Sequence, residues 1–323
     1  MTSRHLFSSS RTTAILFSLG AALTVTPWAT PALGLGLGVA VALTIGNPAP
    51  RLTAGAARWL LQTAVVGLGF GMPFAAVIAA GRTGVAYTVV GIGTALTLGL
   101  LIGYWLRIER QTSFLITTGT SICGGSAIAA VGPAIGARAE AMSVSLATVF
   151  LLNAVALYLF PPVGHLLHLS QHQFAVWAAI AIHDTSSVVG AAASYGPVAL
   201  EQATVLKLAR ALWIVPLTVG AAIVSRRGAG STPARRLPFP WFIGLFLLAA
   251  IARSTLPLAA VPTLDGIAHA ARGALVLTLF LVGAGLTRRT LRAVGARPLL
   301  QGVLLWGAVG GLSLLLAARW VQP

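Results

Sequence analysis

Charge is what this sequence has least of. Only 8% of its 323 residues are Asp, Glu, Lys or Arg, against roughly 25% in ordinary soluble domains. So few charges could not cover the surface of a water-soluble globule, and that class is excluded. Acids are scarcest, five against 21 basic residues, for a net charge of +16. The single cysteine, Cys123, excludes an intramolecular disulfide and a cysteine-cluster metal site. Phosphate-binding loops, dinucleotide fingerprints and soluble ATPase segments are missing too. No cofactor or metal is therefore expected, and any work would draw on a gradient or a separate subunit.

What the chain has is apolar length. Hydrophobic residues make up 57%, and 36 glycines bring the share to about two-thirds. At ~20 apolar residues per crossing of a bilayer, that suffices for about eleven spans, and the expected fold class is an all-α polytopic membrane protein. All basic residues but Lys207 are arginine, set singly or in pairs between apolar blocks. That is the pattern of membrane loops rather than of a nucleic-acid surface, so the partners expected are the lipid bilayer and no nucleic acid.

Pro, Gly and Arg punctuation predicts spans at 12–28, 31–45, 54–71, 84–106, 112–136, 139–160, 171–195, 198–225, 240–254, 271–287 and 298–320. Short surface helices are expected at 73–80 and 288–295. With the N-terminus inside, loop arginines divide fourteen inside to five outside, which supports a cytoplasmic N-terminus. The loop at 226–237 is too short to separate soluble domains, so residues 1–323 form one integral membrane domain, with 1–50 contributing its N-terminal spans. Val66-Gly67-Leu68-Gly69-Phe70 parallels Val282-Gly283-Ala284-Gly285-Leu286 in spans three and ten. An odd separation makes these copies run in opposite directions, as in the inverted repeats of secondary transporters.

Polar residues inside apolar spans are costly unless paired or functional, and three places carry them. Ser121, Cys123, Gly124, Gly125 and Ser126 sit at the centre of span five, where adjacent glycines weaken the helix. A broken helix exposes N–H groups, with Ser126 or Ser121 available as cap; a small-residue packing face is the alternative. His183 and Asp184, followed by Thr185, Ser186 and Ser187, suggest a second break in span seven, or a surface loop. Lys207 and Arg210, three apart in span eight, share one helix face near the span's midpoint and call for an anionic partner. Asp184 and Glu201 are the only acids nearby in sequence, and a structural ion pair of Asp184 with one cation is the alternative.

The midpoints of spans five, seven and eight coincide in depth, so two positive half-helix ends and two cations would converge on a cavity suited to an anion. Two broken spans separated by one span run parallel, whereas such sites usually use an opposed pair. Either one is a re-entrant hairpin or the span count is off by one. Asn153 reads as a helix–helix hydrogen bond, and His165, His168 and His172 as an exposed polar helix end.

At these residues the chain resembles the YeiH-like sulfate exporter family of bacterial inner-membrane proteins. The resemblance covers roughly residue 51 to the end and rests on Cys123-Gly124-Gly125-Ser126-Ala127-Ile128, Ile182-His183-Asp184 and Lys207-Leu208-Ala209-Arg210. Where that family continues with Val-Ala-Gln, this chain has Thr185-Ser186-Ser187, which adds hydroxyls and removes an amide. The resemblance implies an anion exporter of the inner membrane.

The function expected is a secondary transporter of a small anion such as sulfate or a sulfonate, and not an enzyme. Ser121, Cys123, Gly124, Gly125, Ser126, Thr185, Ser186, Ser187, Lys207 and Arg210 would bind substrate, and His183 with Asp184 would couple protons. The alternatives are a cation–proton antiporter using Asp184, or an intramembrane thiol enzyme with Cys123 as nucleophile and His183 as base. A homodimer is one candidate assembly.

Overall fold

The computed structural model describes residues 3–26, 28–226, 241–287 and 294–321. Among them every regular element is helical: α1 (Ser3–Leu23), α2 (Pro31–Thr44), α3 (Pro50–Gly69), α4 (Phe74–Trp105), α5 (Arg110–Ser121), α6 (Gly125–Ala134), α7 (Ala139–Leu166), α8 (Gln171–Ala181), α9 (Thr185–Tyr195), α10 (Pro197–Ala211), α11 (Ile214–Arg226), α12 (Trp241–Thr255), α13 (Val261–Gly283) and α14 (Ala296–Trp320). Among the described residues five stretches, or six if α3 is counted with the start of α4, are long and apolar enough to cross a membrane. The surface helix expected at 73–80 is the beginning of the continuous 32-residue α4. The one expected at 288–295, and the loop at 226–237, lie almost wholly outside the described residues.

The chain forms two compact units. In the unit made of Met1–Phe74 and Gly244–Arg292, α13 packs along α2 and α3. Gly34 lies against Val276, and Gly38 against Phe280 and Ala284, too close for any Cβ; helices lacking side chains there can approach backbone to backbone. The rising order of those pairs makes α2 and α13 parallel. The partner α3 runs the other way: Gly67, near its end, faces Ala271, while beside its start Asn47 Nδ2 donates to Ala284 O at 3.0 Å. The two Val-Gly-x-Gly segments thus end antiparallel helices, in the inverted sense expected.

The second unit, Ala75–Ile243 and Ala293–Pro323, departs from the expected path. Residues 112–136 and 171–195 do not run straight through; each goes in and comes back. At the first, Glu109 beside the start of α5 pairs with Arg138 beyond the end of α6, and Arg138 N donates to Gln111 Oε1 at 3.0 Å. The arms pack on each other through Leu115, Ile128 and Val131. At the second, Gln171 Oε1 at the start of α8 accepts from Val198 N (2.9 Å) just past the end of α9, and the Tyr195 ring stacks on Phe174 at 3.8 Å. Arms of 10 to 12 residues reach about 15–18 Å at 1.5 Å per residue, half of a hydrocarbon core. The 28 residues of α7 reach its whole thickness.

Three long segments show that the hairpins enter from opposite ends. α7 begins beside the first hairpin, where Ser145 Oγ donates to Thr112 O, and ends beside the second, where Gly164 abuts Phe174 and Tyr195. α10 and α11 run in reverse, from Val198 at the second hairpin's base to Ala221 on the Leu115–Ile128–Val131 cluster of the first. α14 follows α7: Gln301 Nε2 donates to Ser113 Oγ (2.9 Å), and nine residues later Gly310 O accepts from Trp177 Nε1 (3.0 Å).

The hairpins are also copies of each other, offset by 60 residues. Gln111, Phe114, Ile122, Ser126 and Gly136 correspond to Gln171, Phe174, Ile182, Ser186 and Gly196. The closing bonds correspond as well, Gln111 to Arg138 N and Gln171 to Val198 N.

Candidate functional site

Both helix breaks fall a few residues earlier than expected: residues 122–124 separate α5 from α6, and residues 182–184 separate α8 from α9. At the first, Gly124 has φ +63° and ψ −124°, a conformation open to glycine alone. A Cβ there would lie 3.5 Å from Asp184 N and Cα, so the two tips touch at Gly124 and Asp184.

Each tip is fastened by the long helix that follows the other hairpin. α7, after the first hairpin, contributes Asn153, whose Oδ1 accepts from His183 N (3.0 Å) and Asp184 N (3.2 Å). α10, after the second, contributes Arg210, whose Nε (2.9 Å) and Nη2 (2.6 Å) both donate to Ser121 O at the end of α5. Lys207, one turn earlier, closes its own hairpin, with Nζ donating to Ile182 O (2.7 Å) and Ala179 O (3.3 Å) at the end of α8.

These contacts correct the expected electrostatics. Lys207 and Arg210 were expected to face N–H groups around Gly124–Gly125–Ser126 and Thr185–Ser186–Ser187; they face carbonyls instead. The physical reason lies in the first arms, whose C-terminal ends carry orphan carbonyls and partial negative charge. Two cations 0% and 1% exposed need acceptors, and these ends supply them. Asp184 pairs with neither: it is the N-cap of α9, its carboxylate accepting from Ser186 N (3.1 Å) and from the Ser186 hydroxyl.

The remaining site residues divide sharply. Neither Ser121 nor Ser126 caps α6, whose N-cap is Gly124 with no side-chain bond. Ser121 Oγ donates back to Thr118 O (3.0 Å), and Ser126 is exposed. Cys123, Gly125, Ser187 and His183 are buried and Thr185 is half-buried. Around the tips several buried polar atoms have no hydrogen-bond partner: Arg210 Nη1, Asn153 Nδ2, Thr120 Oγ1 and both ring nitrogens of His183. Native interiors leave few such atoms. His165 and His172 go separate ways, one stacked on Tyr195 and the other with Nδ1 2.8 Å from Gln202 Oε1.

Two residues carry more than their sequence context suggested. Asn153, expected to join two helices, instead pins a tip. Leucine at 153 would leave His183 N and Asp184 N without their acceptor, a loss of about 1–3 kcal/mol. Asn153→Leu is therefore expected to lower the melting temperature in detergent clearly more than Asn153→Asp, which keeps the acceptor. Equal melting of Asn153→Leu and the parent would refute this role. Gln301, unremarked in the sequence, ties α14 to Gly99 O (2.9 Å) on α4 and to Ser113 on α5. A lone amide within an apolar span was the available signal for both.

Buried cations, a half-buried carboxylate cap and two opposed half-depth hairpins meeting tip to tip define a polytopic helical membrane protein with a polar centre. Residues 12–302 match the family described as Conserved hypothetical protein 698, and the chain belongs to that family. It is 49% identical over 308 residues to a UPF0324 membrane protein of Bdellovibrio bacteriovorus, covering 93% of this chain and 92% of the relative. A UPF0324 membrane protein of Bacteroides thetaiotaomicron is 48% identical over 281 residues, 86% and 83% of the two chains. One from Geobacter sulfurreducens is 46% identical over 299 residues, 93% and 94%. Those names state a membrane protein and no substrate. No solved structure matches the chain.

Proposed function

We propose that this protein is a secondary transporter that exports a small anion, such as sulfate or a sulfonate, across the bacterial inner membrane. The observation that carries the reading is the charge balance at the tips: two fully buried cations against one carboxylate. The helix-end dipoles roughly cancel there, since two N-termini and two C-termini meet at one place. What is left is about one unit of positive charge in a low-dielectric setting, and a small anion is what such a site neutralises. The start of α6 adds N–H groups behind an N-cap, Gly124, that has no side chain to cap them.

With both hairpins re-entrant, nine apolar stretches remain as crossings rather than eleven. Removing two crossings changes the sides of only the loops between the hairpins, at 137–138 and 161–170, and the parallel run of α2 with α13 and antiparallel run of α3 with α13 fit that parity. Arg138 moves to the side of Arg107 and Arg110, so the arginine division sharpens from fourteen against five to fifteen against four. This favours a cytoplasmic N-terminus.

The test is a thermal-shift series in detergent with sulfate, methanesulfonate, phosphate and chloride, and with sodium and potassium varied separately. A bound anion at a hundredfold excess over its Kd stabilises by about 2.7 kcal/mol. At least one of the anions should raise the melting temperature, and Asp184→Asn, which can still cap α9, should retain that response. Stabilisation by a cation that disappears in Asp184→Asn would favour the antiporter reading instead.

A further inference from the structure

Between α4, α8, α10 and α14 a cavity of about 510 Å³ opens near the base of the second hairpin, lined among others by Tyr87, His172, Gln202, Leu206 and Trp320. Tyr87, Val176 and Leu206 are shared with a space of about 10 Å³, room for roughly one water, which we read as the neck of the larger one. Arg210 lines that neck. Its Nε and Nη2 are held by Ser121 O, but Nη1 is buried without a partner. A Cβ on Gly91 would lie 3.6 Å from Nη1, which places this nitrogen on the α4 side, where Tyr87 and Thr88 line the neck. Among the described residues lining either cavity there is no acid.

We propose that this two-part cavity is an anion-selective vestibule between the hairpin tips and the face that the second hairpin enters, and that Nη1 of Arg210 is the charged group an oxyanion passes between that face and the tips. A guanidinium N–H with two sister nitrogens already anchored is a fixed donor, so an incoming oxygen meets it without loss of side-chain freedom. Apolar walls with a single sign of charge at the bottom focus the field and concentrate ions of the opposite sign. The proposal shares with the transporter reading only the sign of the cargo. It adds the route and the group that selects.

The test needs no knowledge of the substrate. Tyr87→Cys, which lines both parts, and Gly91→Cys, beside Nη1, are each reacted in detergent with an anionic sulfonatoethyl methanethiosulfonate and a cationic trimethylammonium-ethyl methanethiosulfonate. Rates are normalised to those with a free thiol, and the parent chain with its buried Cys123 gives the background. The anionic reagent should react faster, on the order of 10-fold, most of all at Gly91→Cys, and the preference should vanish when Arg210→Gln is added. Equal rates, a cationic preference, or no reaction at either position would overturn the vestibule. A preference that survives Arg210→Gln would overturn the role of Nη1. If the transporter reading alone is wrong, the selectivity stays while none of the anions stabilises the protein.

Discussion

Lys207→Gln and Arg210→Gln are each expected to weaken anion binding by at least ~30-fold. Buried charge pairs that lose one partner cost on the order of 2–5 kcal/mol, and 1.4 kcal/mol is tenfold in affinity. The cations hold carbonyls at the ends of α5 and α8, so the same variants should also melt earlier. A buried carbonyl left without its donor costs about 1–3 kcal/mol. Arg210→Lys separates the two effects. It keeps a charge and one donor for Ser121 O, so most of the stability should return. It loses the planar fork and with it Nη1, so affinity should recover only in part, together with a loss of selectivity between tetrahedral and planar anions. Isothermal titration with the anion that stabilises most strongly, alongside melting curves, reads both quantities. Unchanged affinity in both glutamine variants would reduce the cations to structural pins and move the anion elsewhere.

The places where the chain breaks its helices were legible from residue chemistry, because Gly124-Gly125 and Asp184-Thr185-Ser186 are poor helix interior. What the broken segments do next was not. Whether α6 continues away from α5 or folds back on it is decided by contacts 27 residues apart, Gln111 with Arg138 and Gln171 with Val198. Apolar length alone treats a hairpin of two half-depth arms as one full span. The parallel-pair difficulty in the sequence resolves because both segments fold back as hairpins, not one.

The repeat has a similar history. Val-Gly-x-Gly was visible because it is compact, and it does mark antiparallel helices. The repeat that builds the site, 60 residues apart, retains only scattered identities such as Ile122 with Ile182 and Ser126 with Ser186. Alanine and glycine on either side hide it. The cations were legible by their cost at mid-span, yet their partners were not, since helix ends of both signs lie at the tips and nothing in the sequence distinguishes them.

This architecture gives the two hairpins a mutual dependence. The helix after the first holds the second through Asn153, and the helix after the second holds the first through Arg210. Displacing either tip therefore strains the contact on the opposite side of the unit.

The central claim is that two hairpins enter from opposite faces, and sidedness of four single cysteines tests it most directly. Arg107, Arg138, Leu167 and Val198 are all exposed, and losing the exposed Glu109–Arg138 pair should cost little. Each position is replaced by Cys and probed with a membrane-impermeant maleimide in intact cells and in inverted vesicles. The hairpin account predicts Arg107→Cys and Arg138→Cys labelled together from the cytoplasmic face, and Leu167→Cys and Val198→Cys together from the other. Alternating labels, with Arg107 and Leu167 on one face and Arg138 and Val198 on the other, would mean that both segments cross the membrane, and would contradict it.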